Sequence, residues 1–589
     1  MSHAFAYRLA APTGPPEARG APPPRYRREV VGDLIIERDM AVPLRDEVTV
    51  YVDVFRPADE RPVPPLIAWS PYGKHADLPV TRLYPDGGVA PGQLSPYTGF
   101  ESPDPLFWVG HGYAVVNVDA PGTWYSDGDA TFISPEEAAF GHDLVEWAGT
   151  RPWSNAKVGL SGVSYLTTSQ WNIAATGPPH LAAINPWEGW SDTYREVVRH
   201  GGIPETAFWP YIARRWAFGT HLAEDLLAET AEHPLFDSFW ASKAPRLERI
   251  TVPAYVVASF SDQGLHTRGT LEGFKRIGSK DKWLEVHGGK KWGYYYSPEG
   301  MARQLAFFDH FLKGVDNEVP SWPTVRFDVR ADARTALRKE ATAWPLPGTH
   351  LVVRHLDAAS GRLLAEKPAT PASVDYDAEE LGRARRRATF DWRFDEATEL
   401  VGGARLHLWL SSPDSDDLDV FVALQKLDGY GDLVGFNYYA VFEDGPVALG
   451  WLRASHRELD VARSTDSQPV LTHRREQKIP PGTVFPVDVE ILPSGTRFEP
   501  GETLRLVLQG KDVHRYPRPL THPAHADSVN VGIHRVHTGG EHDSYLVIPR
   551  LEQVRAFGEA GATSVEAPPR AALPRRVRPA PPTPDLPRA

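Results

Sequence analysis

A chain of 589 residues is longer than one compact core organises and implies two to four domains. With 41% hydrophobic and 24% charged residues, and no apolar run near the ~18 residues a membrane span needs, it reads as a soluble globular protein with no membrane partner. The absence of cysteine excludes disulfides, thiolate catalysis and Cys-ligated zinc, and a net charge of -13 without a basic face excludes nucleic acid, leaving a small molecule as the expected partner.

Residues 1–28, with "APTGPPEARGAPPPRYRR", lack apolar periodicity and read as a flexible arm. No charged-then-apolar leader pattern is visible, so the expected compartment is the cytoplasm. Over residues 29–318, short apolar runs such as "PPLIAWSPY", "GYAVVNVDAPG", "AKVGLSGVS" and "VPAYVVASFSD" alternate with helical stretches such as "PEEAAFGHDLVEWAG". That alternation predicts an α/β domain with a mostly parallel sheet. Residues 190–250 break the pattern with an aromatic, helical segment leaving the carboxyl edge of the sheet, where such sheets bind ligands, and are read as a cap. Residues 319–558 turn to alternating strands broken by Gly, Pro and Asp, such as "ARLHLWLSS" and "ETLRLVLQG", and predict a β-sandwich. A sandwich edge offers strands to a second copy, so a homo-oligomer stands as an expectation. Residues 559–589 are again Pro- and Arg-rich and read as a flexible tail.

"KVGLSGVSYL" carries the chemistry. In a Gly-x-Ser turn between a buried strand and a helix, the serine is forced into a strained conformation that exposes its hydroxyl. Val158 to Leu160 supply the strand, Gly162 removes a side chain that would meet the following helix, and "YLTTSQWNIAAT" continues as that helix. Ser164 is the predicted nucleophile. Leu166 stands where a second glycine is usual.

A serine needs a base, and the base a group that fixes its tautomer; in this fold the acid and then the histidine follow on loops after later strands. Asp262 comes just after "AYVVASFS" among turn-forming residues, and His287 closes the next strand, "KWLEVHGG". They are the predicted acid and base. His266 is set aside as too near Asp262 to come from a separate strand, and His310 as lying within an amphipathic helix. The oxyanion is expected to meet the backbone N–H of Tyr165 and a donor near Tyr72, in "IAWSPYGK".

These residues resemble the cocaine esterase-like (CocE/NonD) serine hydrolases, related to X-prolyl dipeptidyl-peptidases and α-amino acid ester hydrolases. "SPYGK" is similar to a family motif whose tyrosine hydroxyl donates to the oxyanion, which points to Tyr72. "GVSYL" matches the nucleophile motif, "SFSDQG" the segment of the acid, and "FEPGETLRLVLQGKD" resembles the family's C-terminal, galactose-binding-like jelly roll. Two stretches depart from the pattern: "DAPG", with Pro121 where an arginine is usual, and the histidine context "EVHGGKKW". The resemblance implies an α/β-hydrolase domain with a helical cap and a C-terminal jelly roll, cleaving an ester or amide through an acyl-serine intermediate, with no metal and no organic cofactor.

Trp187, Trp190, Trp209 and Trp216 are expected to line an acyl or aryl pocket. Glu188, Asp192 and Glu196, interleaved with aromatics, read as a solvated face. An X-prolyl dipeptidyl-peptidase is the alternative within enzymes, and a carbohydrate-binding or scaffold protein the alternative outside them.

Overall fold

The computed structural model describes residues 5–59, 61–75, 79–382, 385–514 and 524–552. Every residue of Pro65–Ser70, Ala114–Asp119, Val158–Val163 and Ala254–Ser259 is buried, as strands covered on both faces require. Across the sheet the order is Arg27–Val31, Leu34–Pro43, Thr49–Pro57, Ala114–Asp119, Pro65–Ser70, Val158–Val163, Leu181–Trp187, Ala254–Ser259, Lys282–His287 and Val325–Arg330. Neighbours are antiparallel as far as Ala114–Asp119 and parallel from there on.

Successive strand residues face opposite cores, as a period of two dictates. Ile67, Val116 and Val256 pack with Leu144, Trp171 and Phe274 from the helices Pro135–Gly149, Tyr165–Ala175 and Thr267–Arg276. Their neighbours Leu66, Val115 and Val257 pack on the other face with Trp108, Phe307 and Phe308. Ser134 caps the first of these helices by accepting from the Glu137 N–H at 2.9 Å.

Residues 190–250 hold the short helices Phe208–Trp216, Leu226–Glu232 and Ser238–Ser242. The N-terminal stretch, expected to be a flexible arm, lies against this region. Leu9 and Ala10 pair with Glu224 and Ala223, and the Tyr7 hydroxyl donates to Glu136 at 2.8 Å. Its Pro-rich composition suppresses regular structure without preventing docking. The tail from 559 lies outside the described residues.

In the C-terminal region Thr398–Ser411 pairs antiparallel with Phe485–Phe498 and Tyr545–Leu551, and Asp419–Leu427 with Ala448–Arg453 and Thr503–Gln509. Leu406, Leu408, Val420, Val422, Val489 and Leu506 give it its own core. Arg330 ties the two regions together: its buried guanidinium donates to Val447 O at 3.2 Å, Ser494 Oγ at 2.7 Å and Gly495 O at 3.2 Å. No described helix is long and apolar enough to cross a membrane.

Candidate active site

Ser164 follows the strand Val158–Val163 with φ 62° and ψ -115°, a conformation that side chains other than glycine's rarely adopt. Its N–H donates to the carbonyls of Trp187 and Glu188 at 3.1 and 3.0 Å, which holds the turn in place. Gly162 has φ 136°, and a Cβ there would come within 2.4 Å of Leu166. The leucine that replaces the usual second glycine therefore covers the first one.

Ser164 Oγ lies 3.1 Å from Nε2 of His266, and Nδ1 of His266 donates to Oδ2 of Asp262. The structure thus brings Ser164 and Asp262 together as expected, but through His266. The strand Ala254–Ser259 ends in a turn in which the N–H groups of His266 and Thr267 donate to Asp262 O at 3.0 and 3.2 Å. That turn puts residues four apart on one side, so acid and histidine share a single loop. His287, the histidine preferred from the sequence, does close its strand, but its Nε2 pairs with Oε1 of Glu188 at 2.9 Å. Its ring packs against Tyr294, with centroids 4.4 Å apart. The signal for His266 was the Asp-x-x-x-His spacing at the start of a helix.

Tyr72 is buried beside Tyr165, with ring centroids 6.1 Å apart, and burial pushes its pKa well above that of an ordinary phenol, so its hydroxyl carries a proton. Tyr165 opens the helix after the serine, where backbone N–H groups lack intrahelical partners. Its side chain is anchored by Glu137, whose carboxylate oxygens each accept from the phenol at 2.8 Å. Asp119 of "DAPG" is held by Lys74 of "SPYGK": the Lys74 N–H and ammonium each donate to it at 2.7 Å. The cation beside Asp119 is thus a lysine from a neighbouring loop, with Pro121 contributing none.

The four tryptophans divide. Trp190 stacks on His266 at 5.6 Å and on Trp216 at 6.2 Å, while Trp216 meets Tyr165 edge-on at 4.8 Å and Trp209 at 6.1 Å. Trp187 instead packs across the sheet with Tyr255, Tyr294 and Tyr295, its indole N–H on Asn185 Oδ1 at 3.0 Å. It buttresses the sheet and stands apart from the aromatic cluster at the serine. The acids read as a solvated face are buried: Asp192 pairs with Arg195 and Glu196 with Arg268, each at 2.7 Å, while Glu188 holds His287 and accepts from Ser259 Oγ at 2.6 Å.

Three further features were not anticipated. Lys291 donates to Asp262 Oδ2 at 3.0 Å from a buried position. Glu101 is buried with Oε1 on the Trp292 indole N–H at 2.9 Å and Oε2 without a hydrogen bond, and burial pushes its pKa up to about 7. The C-terminal region reaches the acid loop: Tyr439 N–H donates to Ser261 O at 2.8 Å, and Gln263 is clamped by Leu449 N–H at 2.6 Å. Although burial opposes it, the Lys291 charge, reinforced by His266, holds the Asp262 carboxyl well below the usual carboxylate range. Burial and then Lys291 lower the pKa of His266.

A strained serine after a parallel strand, in contact with a histidine that a carboxylate orients, is the constellation of α/β-type serine hydrolases. Residues 46–214 match the X-Pro dipeptidyl-peptidase (S15) family and residues 317–547 the X-Pro dipeptidyl-peptidase C-terminal non-catalytic domain. A CocE/NonD family hydrolase from Staphylococcus aureus superimposes with a TM-score of 0.86 at 39% identity, over 91% of this chain and 98% of that one. Cocaine esterase of Rhodococcus sp. is 24% identical over 89% of this chain and 100% of its own length. A putative Xaa-Pro dipeptidyl-peptidase of Rhodopirellula baltica is 23% identical over 70% of each. The chain belongs to the CocE/NonD hydrolase family and is a serine hydrolase.

Proposed function

We propose that Ser164 is the nucleophile, His266 the base and Asp262 the group that orients it, in an enzyme that hydrolyses uncharged esters through an acyl-serine intermediate. The observation that carries this reading is the unbroken chain from Ser164 Oγ to His266 Nε2 and from His266 Nδ1 to Asp262. Ser164 gives its proton to Nε2 as Oγ attacks the acyl carbon. The oxyanion that develops meets the Tyr165 N–H and the Tyr72 hydroxyl. His266 then protonates the leaving group, and a water activated by the same nitrogen attacks the acyl-serine, restoring the hydroxyl. Trp190, Trp216 and Trp209 supply flat apolar surface suited to an acyl or aryl group. We read residues 190–250 as a cap over this site and the C-terminal strands as a jelly-roll sandwich.

The second reading, an X-prolyl dipeptidyl-peptidase, is favoured by one observation: the free Oε2 of Glu101 could receive an ammonium group. A carbohydrate-binding or scaffold role without catalysis would leave the strained serine and its histidine contact without purpose. Fluorophosphonate labelling followed by peptide mapping tests the assignment. Label on Ser164, lost in Ser164→Ala, is expected; label on Ser161 or none would refute it.

A further inference from the structure

Lys291 begins the short helix Lys291–Tyr295 just beyond Gly288 and Gly289, and its side chain is 5% exposed. Its ammonium donates to Oδ2 of Asp262 at 3.0 Å, the same oxygen that His266 Nδ1 contacts, and lies 3.4 Å from that Nδ1. Nε2 must accept from Ser164 for the serine to be deprotonated, so Nδ1 carries the ring's proton. The 3.4 Å approach is then a contact between two proton-bearing nitrogens. A neutral imidazole tolerates a cation there, whereas an imidazolium is repelled.

Asp262 is fully buried, and its Oδ1 has no hydrogen bond. A carboxylate so placed beside a neutral histidine would take up a proton unless a permanent cation stood against it. The other ionisable groups facing this centre are Glu101 and Glu188 toward Lys291, Glu188 toward His266, and Tyr84, Tyr438 and Tyr439 toward Asp262. Lys291 is therefore the cation shared by acid and base.

We propose that Lys291 is a positioning residue of the proton relay: its ammonium keeps Asp262 ionised and His266 neutral, so that the base stays competent in mildly acidic solution. This rests on His266 being the base. Burial and then Lys291 both act in that direction on the imidazole.

The test is the acid limb of kcat/KM for an uncharged nitrophenyl ester. In the wild type the limb should lie below about 6.5, the ordinary histidine value. Lys291→Gln keeps a donor to Asp262 and removes only the charge, so the limb should rise by about one pH unit or more, with the alkaline plateau held within about tenfold. Lys291→Arg should leave the limb in place. A wild-type limb at or above about 6.5 overturns the proposal without any variant. A Gln variant that loses activity equally at every pH, with its limb unmoved, also overturns it by reducing Lys291 to a structural role. Failure of the base assignment would show separately, as activity and limb both preserved in His266→Ala.

Discussion

His266 and His287 each bind a buried carboxylate, Asp262 and Glu188, but only His266 also reaches the hydroxyl of Ser164, at 3.1 Å. Glu188 itself sits behind the serine, its carbonyl accepting the Ser164 N–H at 3.0 Å. In the proposed mechanism the two pairs have different duties: the first moves a proton, and the second braces the turn that holds Ser164.

This division predicts an asymmetry. His266→Ala should lower kcat by about 10⁴-fold or more, as loss of a triad histidine does. His287→Ala leaves Glu188 buried without its ring partner, so it should act mainly on stability, with the surviving folded enzyme within about tenfold of wild type. Steady-state kinetics, normalised to the folded fraction from circular dichroism, measures both. Equal losses would return His287 to the proton path.

Much of this site was legible in the sequence, and the exceptions have physical causes. The strained serine showed because one strand, one glycine and one helix, all contiguous, are enough to make it. The histidine that contacts Ser164 differs from the expected one because a separate strand is not needed for it: the turn after Ser259 brings residues 262 and 266 together within one loop. The burial of Glu188, Asp192 and Glu196 was hidden for another reason: two of their partners, His287 and Arg268, come from distant segments. Lys74 in "SPYGK" has no spacing to Asp119 that the sequence displays, although its ammonium supplies the ion pair of Asp119. In the N-terminal stretch, composition predicted the absence of long elements but not the surface that Leu9 and Ala10 would meet.

Tyr72→Phe removes one hydroxyl and keeps the ring that packs edge-on against Phe100 at 5.0 Å. Loss of one oxyanion donor should lower kcat by about 10²–10³-fold with KM little changed. The melting temperature should stay within a few degrees of wild type, because the ring contacts survive. A kcat change of less than about threefold, well short of that donor range, would make Tyr72 a packing residue.

Glu285, on the strand that ends at His287, gives a prediction about acid stability. It is buried among Arg303 at 2.9 Å, Arg338 at 3.3 Å and Arg326 at 3.6 Å, and accepts from the Tyr255 hydroxyl at 2.7 Å. Burial raises its pKa, but the three arginines outweigh that and hold it down to about 2. A carboxyl whose pKa is lower folded than unfolded contributes stability above the unfolded value, and that contribution is lost as pH falls through the folded one. Glu285→Gln should therefore cost about 1.5–3 kcal/mol near neutral pH, since it leaves the half-buried Arg303 without a carboxylate while Arg326 and Arg338 keep Glu299 and Asp328. The gap to wild type should narrow from about pH 4.5 down to about 2. Urea unfolding at a series of pH values measures it, and a gap that is constant with pH would contradict the assignment.

The last prediction concerns substrate class. To release a dipeptide, an enzyme must hold a free ammonium group at a fixed distance from the nucleophile, which calls for ionised carboxylates in a water-poor pocket. Around Ser164 the carboxylates are largely committed: Asp262 to His266 and Lys291, Glu188 to His287 and Ser259, Asp192 to Arg195, and Glu196 to Arg268. Glu101 has a free oxygen, but burial pushes its pKa up to about 7, so near neutrality much of it is a neutral acid and a weak receptor for a cation. The buried cluster of Trp190, Trp209 and Trp216 beside His266 makes these surroundings apolar, which favours an acyl or aryl group over a charged amine. Uncharged aryl or short acyl esters should therefore be hydrolysed with kcat/KM at least about tenfold above Ala-Pro or Gly-Pro anilides, roughly 1.4 kcal/mol of transition-state preference. Both substrate sets are compared on one preparation, with Glu101→Gln alongside. Preference for the anilides, abolished by N-acetylation and by Glu101→Gln, would move the protein to the peptidase reading, because only an ammonium bound at that carboxyl would be sensitive to both changes.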